Sequence, residues 1–184
     1  MRVIGGEYRS RRLKTLPSLA LRPTPDRLRE ALFNVLAPRV EGCTFLDGYA
    51  GCGAVGIEAL SRGAAHAIFL EKHPAAVRVI QENLAALGME GRAVVIRGSV
   101  ARLLHRFTAE IVFLDPPYDL GGEYEEALRI LERQPPPLVV AQHAARFSLR
   151  ASYGRLSRTR VLRQGDNALS FFEGQEKRSG SDLK

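Results

Sequence analysis

The amino-acid sequence predicts a doubly wound α/β domain built on a mostly parallel sheet. Three observations carry this expectation. Short apolar runs alternate with stretches of helical period, the pattern of strands linked by crossover helices. A glycine-rich loop, Gly48 to Gly56, follows the first of these runs. The fourth run, Ile111-Val112-Phe113-Leu114, ends in Asp115-Pro116-Pro117-Tyr118, a stiff corner at the strand end where open α/β sheets bind ligands.

The elements follow in order. Met1 to Ile4 reads as a short strand that reaches a Gly5-Gly6 turn, with Arg9 to Lys14 returning as its partner. This makes residues 1–20 a small basic hairpin arm ahead of a main domain at 21–173. Arg9, Arg11, Arg12 and Lys14 lie within six residues, a density that suits phosphate contact. Thr24 is a good N-cap, and Pro25 suits the first helical position. Leu28, Ala31, Leu32, Val35 and Leu36 then form the apolar face of a helix expected to end before Pro38. Arg22 and Arg27 flank its start, where free N–H groups can meet an anion.

Cys43 to Asp47 is the first core strand, and a helix runs from Ile57 to Arg62 beyond the glycine loop. Gly51, Gly53 and Gly56 match the dinucleotide fingerprint. Asp47 shifts that interpretation, because a carboxylate at this point can meet an ammonium group. Nicotinamide cofactors have no ammonium; the methionine part of S-adenosyl-L-methionine does. The second strand ends in Glu71, 24 residues after Asp47, near the ~20-residue spacing of an acid that accepts from ribose hydroxyls. Helix Pro74 to Leu87 stops at Gly88. Ala93 to Arg97 is the third strand. Gly98-Ser99-Val100 beyond it can hold an adenine through a backbone N–H and the Ser99 hydroxyl, or simply form a turn and helix cap. Gly121-Gly122 reads as a loop before helix Tyr124 to Arg133, and Leu138 to Gln142 as the fifth strand. From Ser148 onward cations and apolar residues mix. With the turn Gly165-Asp166-Asn167 and the strand Ala168 to Phe172, they read as an antiparallel pair closing the sheet. The tail, 174–184, is polar and expected to be disordered.

Composition narrows the function. A net charge of +7 points to a polyanionic partner, and residues 1–39 hold nine Lys or Arg against three Asp or Glu. Cys43 and Cys52 make no disulfide framework, and neither has a histidine at ligand spacing, so no metal site is expected. No signal peptide and no apolar run of membrane-spanning length is visible, which fits a cytoplasmic protein with reduced thiols. Cys52 reads as space-filling rather than nucleophilic.

The Asp115 corner suits one chemistry. A planar base can stack on Tyr118 while its exocyclic amino group donates to the Asp115 carboxylate and the Pro116 carbonyl. Such an amino group is a poor nucleophile because its lone pair is delocalised into the ring. Two acceptors on its hydrogens favour a tetrahedral nitrogen and stabilise the positive charge that grows during attack.

Asp47 with its glycine loop, then Glu71, then Asp115-Pro116-Pro117-Tyr118 resemble the class I S-adenosylmethionine-dependent methyltransferases of exocyclic amino groups. Arg2 to Gly6, Arg22-Pro23-Thr24, Arg29 to Asn34 and Glu58 to Ala64 are similar, more narrowly, to the bacterial 16S ribosomal RNA guanine-N2 methyltransferase family. The resemblance covers roughly residues 1–173 and implies a seven-stranded sheet with the last strand antiparallel. It implies S-adenosyl-L-methionine as cofactor, held by Thr24, Asp47, Tyr49, Gly51, Gly53, Glu71, Lys72, Ser99 and Val100. Catalysis would fall to Asp115, Pro116, Pro117 and Tyr118, and RNA contact to Arg9, Arg11, Arg12, Lys14, Arg22 and Arg27. The substrate would be 16S rRNA within the small ribosomal subunit or an assembly intermediate, and the enzyme a monomer. The chain departs from the family pattern at Cys52, where serine is common, and at Gln142, where an acid is frequent. Adenine N6 in DNA or RNA offers the same kind of amino group. A nicotinamide oxidoreductase or a non-catalytic RNA-binding factor would leave the Asp115 corner without a role.

Overall fold

Five apolar runs form parallel strands: β1 (Thr44–Gly48), β2 (His66–Glu71), β3 (Ala93–Arg97), β4 (Ile111–Leu114) and β5 (Leu138–Ala144). Three more strands extend the sheet antiparallel: β6 (Ser152–Tyr153), β7 (Leu156–Gln164) and β8 (Asn167–Gly174). The order is β3-β2-β1-β4-β5-β8-β7-β6, with the reversal beside β1 that defines a doubly wound sheet. This computed structural model describes residues 1–16, 25–117 and 121–175.

Burial follows position in the sheet. Central β4 is buried at every residue, whereas edge strand β3 buries none of its side chains fully. Side chains alternate between two layers. Phe45, Ile111, Phe113 and Val140 face α1 (Asp26–Val40), and Phe69 faces α2 (Ala54–Ser61) and α3 (Pro74–Leu87). Leu46, Leu70, Val112 and Leu114 face α4 (Val100–Leu103) and α5 (Gly121–Leu131). Each fully buried Leu or Phe contributes about 1.5–3 kcal/mol.

Several sequence expectations need correction. The sheet has eight strands rather than seven, because the two-residue β6 pairs with the start of β7. Helix α1 runs through Pro38 to Val40. Proline there removes one hydrogen bond from the last turn only, and buried Leu36 and Val40 hold that turn against the sheet. Helix α2 begins at Ala54, three residues before the expected Ile57, so part of the presumed loop is its first turn. Helix α5 begins at Gly121, where a loop was expected. Gly174 closes β8, and the Gln175 N–H donates to the Arg155 carbonyl; the rest of the expected tail lies outside the described residues.

The N-terminal hairpin is present, with Arg2 bridged antiparallel to Arg12. It lies along the outer side of α2. The buried Glu58 carboxylate accepts the Ile4 and Gly5 N–H groups at 2.8 Å each, and Ser61 Oγ accepts from the Tyr8 N–H and donates to the Gly5 carbonyl. Gly5 and Gly6 permit this approach: a Cβ on Gly5 would sit 2.5 Å from the Arg62 guanidinium, and one on Gly6 1.9 Å from the Ser61 carbonyl oxygen. At the other end of the hairpin, Lys14 N–H donates to Asn83 Oδ1 at 2.8 Å.

Gly56 has the same character inside the domain. A Cβ there would lie 2.3 Å from Phe69 Cε1 and 2.7 Å from its Cζ, and Phe69 is fully buried. Gly56→Ala gains ~1 kcal/mol of helix propensity, but overpacking costs about 1–3 kcal/mol. Urea unfolding of Gly56→Ala is expected to show a net loss of stability; a net gain would mean that α2 can move off the sheet.

Candidate active site at the carboxyl ends of three strands

Register brings three acids together. Asp47 of β1 pairs with Phe69 of β2 on one side and Phe113 of β4 on the other. Glu71 and Asp115 each lie two residues further, so alternation places all three carboxylates on the α2 face at the carboxyl ends of adjacent strands. Asp47 is only 2% exposed, and its Oδ2 accepts the Gly56 N–H at 2.8 Å, capping the first turn of α2 from inside the sheet. Glu71 Oε2 accepts the Gly51 N–H and its Oε1 the His73 N–H, both at 2.8 Å. Asp115 is half-buried; its N–H donates to the Gly48 carbonyl at 3.4 Å, and Pro116 beyond it is buried.

Burial raises the Asp47 pKa well above the usual carboxylate range. The Gly56 hydrogen bond opposes this, while the charges of Asp115 and Glu71 push further upward. The resulting field welcomes a cation and repels a pyrophosphate. A dinucleotide site also leaves helix N-terminal N–H groups for phosphate, yet here the Gly51 and Gly56 N–H groups already serve carboxylates. Gly51, Gly53 and Gly56 therefore fit the fingerprint in spacing but not in electrostatics.

The loop between these acids turns sharply. Tyr49, Gly51 and Gly53 all have positive φ, of 65°, 59° and 80°. Left-handed backbone is uncommon for a tyrosine, and Tyr49 packs against the α4–α5 side of the core with its hydroxyl bonded to Glu123. Burial and that acid raise the phenol pKa, so the hydroxyl stays protonated as a donor. Burial likewise pushes Cys43 up to about 11 and raises Cys52, which keeps both thiols un-ionised at neutral pH. Cys52 Sγ lies 3.8 Å from Met1 Sδ, so the arm touches the glycine loop.

The other expected site residues separate. Ser99 stands at the N-cap of α4 with no side-chain capping bond; its carbonyl accepts the Arg102 and Leu103 N–H groups. Val100 is buried and Lys72 exposed. Gly98 N–H donates to the Glu71 carbonyl, tying this turn to the acid. Thr24, Arg22 and Tyr118 lie outside the described residues. Gln142, 1% exposed, follows Ala141, the partner of Leu114, and so stands one strand over from Asp115 on the same face. Arg9, Arg11, Arg12 and Arg27 are exposed, while Lys14 pairs with Glu82 at 2.8 Å. The turn of the hairpin, with Tyr8 on Ser61, lies against the C-terminal end of α2, a helix length away from the acids.

Sequence reasoning missed the residues that seat the arm. Arg29 is wholly buried; one Nη donates to the Arg2 carbonyl at 2.7 Å and to Asp26 at 3.0 Å, while Nε and the other Nη have no hydrogen-bond partner. Asp26 is a helical neighbour that spacing can suggest, but Arg2, 27 residues away, is not. The three acids supply acceptors suited to an ammonium and to ribose hydroxyls, and the Ser99 hydroxyl, which makes no capping bond, could meet an adenine. Among the described residues no group of three His, Cys, Asp or Glu could hold a metal, and no helix is long and apolar enough to cross a membrane.

Asp47→Asn tests the electrostatics. Its raised pKa gives stability that is fully present below the unfolded-state value and lost as pH rises through the folded value. At neutral pH the variant, whose amide oxygen can still accept from Gly56, is expected to melt a few degrees higher than the parent. The gap should close as pH falls toward the usual carboxylate range, as measured by thermal unfolding across pH. A constant gap would mean that Asp47 is not a destabilised carboxylate.

Comparisons with known proteins agree with this architecture. The profile of the family described as conserved hypothetical protein 95 matches residues 1–173. The Escherichia coli K12 protein named ribosomal RNA small subunit methyltransferase D is 44% identical over 133 residues, covering 72% of this chain and 67% of its own. The Bacillus subtilis protein YlbH is 34% identical over 187 residues, covering 94% of this chain and 98% of its own. The Thermus thermophilus protein TTHA0928 superposes with a TM-score of 0.79 at 34% identity, covering 94% of this chain and 99% of its own. The chain belongs to the conserved hypothetical protein 95 family, that of the small-subunit ribosomal RNA methyltransferase D proteins.

Proposed function

We propose that this protein is an S-adenosylmethionine-dependent methyltransferase acting on the exocyclic N2 amino group of a guanine in 16S rRNA. The observation that carries the reading is the convergence of Asp47, Glu71 and Asp115 around one glycine loop. The Escherichia coli relative, named for the small-subunit rRNA, supplies the substrate class.

S-adenosylmethionine brings a methyl carbon bonded to a cationic sulfur. The chain's own groups bind and align. The field of Asp47 and its neighbours receives the ammonium. Each Glu71 oxygen accepts one N–H and keeps a second lone pair for a ribose hydroxyl. The Ser99 hydroxyl and its turn hold the adenine.

The Asp115 carboxylate and the Pro116 carbonyl accept from the guanine amino group, and Tyr118 holds the ring flat. Held by these groups, the amino nitrogen would take the methyl carbon, the N–C bond forming as the C–S bond breaks and the electron pair passing to sulfur. The proton departs afterwards from a strongly acidic ammonium, so no tuned base is required. Most of the rate enhancement is then alignment at near-attack distance. The base must first leave its stack, which costs a few kcal/mol. The protein would act as a cytoplasmic monomer on the small subunit or an assembly intermediate.

Asp115→Ala is expected to lower turnover by about 100- to 1,000-fold while affinity for S-adenosylhomocysteine, measured by calorimetry, changes little. Equal loss of both would assign Asp115 to folding or cofactor binding. Incubation with labelled S-adenosylmethionine and undermethylated small subunits should yield labelled N2-methylguanosine. Labelled N6-methyladenosine would move the activity to adenine.

A further inference from the structure

We propose that the exposed arginines of strand β7, with Arg146 beside the β7–β8 turn, form a phosphate-binding surface for RNA, a second limb on the opposite side of the active site from the N-terminal arm. The inference rests on the reading above, that the substrate is RNA.

Charge singles this surface out. Residues 146–163 hold six arginines and no acidic residue, as large an excess as the net +6 of residues 1–39, and the turn that follows adds one exposed acid, Asp166. With +7 over the whole chain, the remaining residues are net acidic. Three of the six arginines are engaged in the fold. Arg150 pairs with Glu125 at 2.9 Å, Arg158 donates to the Leu149 carbonyl at 2.8 Å, and Arg155 donates to the Arg133 carbonyl. Arg146, Arg160 and Arg163 are exposed, and none of them joins an ion pair among the described residues.

Register fixes how far these cations stand from the proposed chemistry. Arg163 pairs with Ala168, and Ala168 with His143, which lies two residues beyond Ala141, the partner of Leu114. Arg163 therefore stands level with Pro116, three strand spacings away, about 14 Å at ~4.8 Å per strand. The Ala145 N–H donates to the Asp166 carbonyl at 2.8 Å, which sets Arg146 against the tip of the same turn. Arg160 lies further down β7, its guanidinium 6.0 Å from the Phe171 ring centre. Strand β6 pairs only with Leu156 and Ser157, and the Arg158 N–H donates to the Ala151 carbonyl at 2.8 Å, so the outer edge of β7 is open from Thr159 onward among the described residues. The turn of the N-terminal hairpin, by contrast, is fastened to the far end of α2. A strand of RNA whose flipped base enters at Asp115 passes the β7–β8 turn within a few nucleotides.

Arginines on an open strand edge also deter pairing with another chain, and Val161, 38% exposed, lies among them. One experiment separates the two roles. The variant Arg146→Gln/Arg160→Gln/Arg163→Gln is compared with the parent for binding to undermethylated small-subunit rRNA across a salt series, with size-exclusion chromatography and S-adenosylhomocysteine calorimetry alongside. The expected result is a log–log salt slope shallower by about 2–3, at ~0.7–0.9 per lost phosphate contact, with unchanged S-adenosylhomocysteine affinity. An unchanged slope overturns the proposal, and an unchanged slope with self-association assigns the arginines to edge protection. If the parent itself fails to bind rRNA, the RNA reading falls and this surface with it. If the parent binds and only the variant's slope is unmoved, the RNA reading stands without this surface.

Discussion

The 2.8 Å hydrogen bond from the Gly56 N–H to Asp47 is the constraint on which the site depends. It joins the end of β1 to the first turn of α2 across nine residues of chain, and so sets the length and path of the loop between them. Both ends of the bond are demanding. Gly56 can lie against Phe69 only because it has no Cβ. Asp47 is buried to the point that its charged form is disfavoured, and two further acids stand nearby. An unliganded carboxylate held this way is costly to the fold. That strain is the kind a functional site retains, because a cationic ligand relieves it.

Much of this was legible in the sequence. Apolar runs gave the five parallel strands, because residues buried on both faces need no polar alternation. Asp47, Glu71 and Asp115 were legible as a set because each ends such a run. The first turn of α2 was not, since Ala54-Val55-Gly56 reads as the tail of a glycine loop until Asp47 is known to cap it. The helix past Pro38 was missed because a local rule about proline competes with burial of Val40. Asp47 already turned the glycine loop away from a nicotinamide cofactor; that the Gly51 and Gly56 N–H groups are taken by carboxylates lay beyond the pattern, because spacing does not reveal it.

The arm illustrates the same limit at longer range. Its cations are plain in the sequence, but its seat is not. Glu58 lies 54 residues from Ile4, and Asn83 lies 69 from Lys14. Glu58 and Ser61 are polar residues on a helix buried at every position, where a pattern-based reading expects only apolar side chains. Their burial becomes intelligible once the arm supplies the backbone N–H groups that a buried carboxylate and hydroxyl require. Gly5 and Gly6, which look like a simple turn, are also the residues that let the hairpin reach α2.

The distribution of charge then poses a problem that the architecture resolves. Under the proposed function, a carboxylate cluster suits the cationic cofactor but repels the phosphates of an RNA whose base would reach Asp115. Coulomb interactions between exposed charges fade over about 8–10 Å in physiological salt. Attraction for the backbone is therefore best placed more than a Debye length from the acids, on either side of the opening. The exposed arginines of the hairpin lie on one side, along α2, and those of β7 lie about three strand spacings away on the other. Under the proposed function, phosphates held at these flanks would feel little of the acidic centre, while a flipped base, which carries no net charge, would enter it. Separating the cations from the acids would let one small domain accept the proposed cationic cofactor and a polyanionic substrate together.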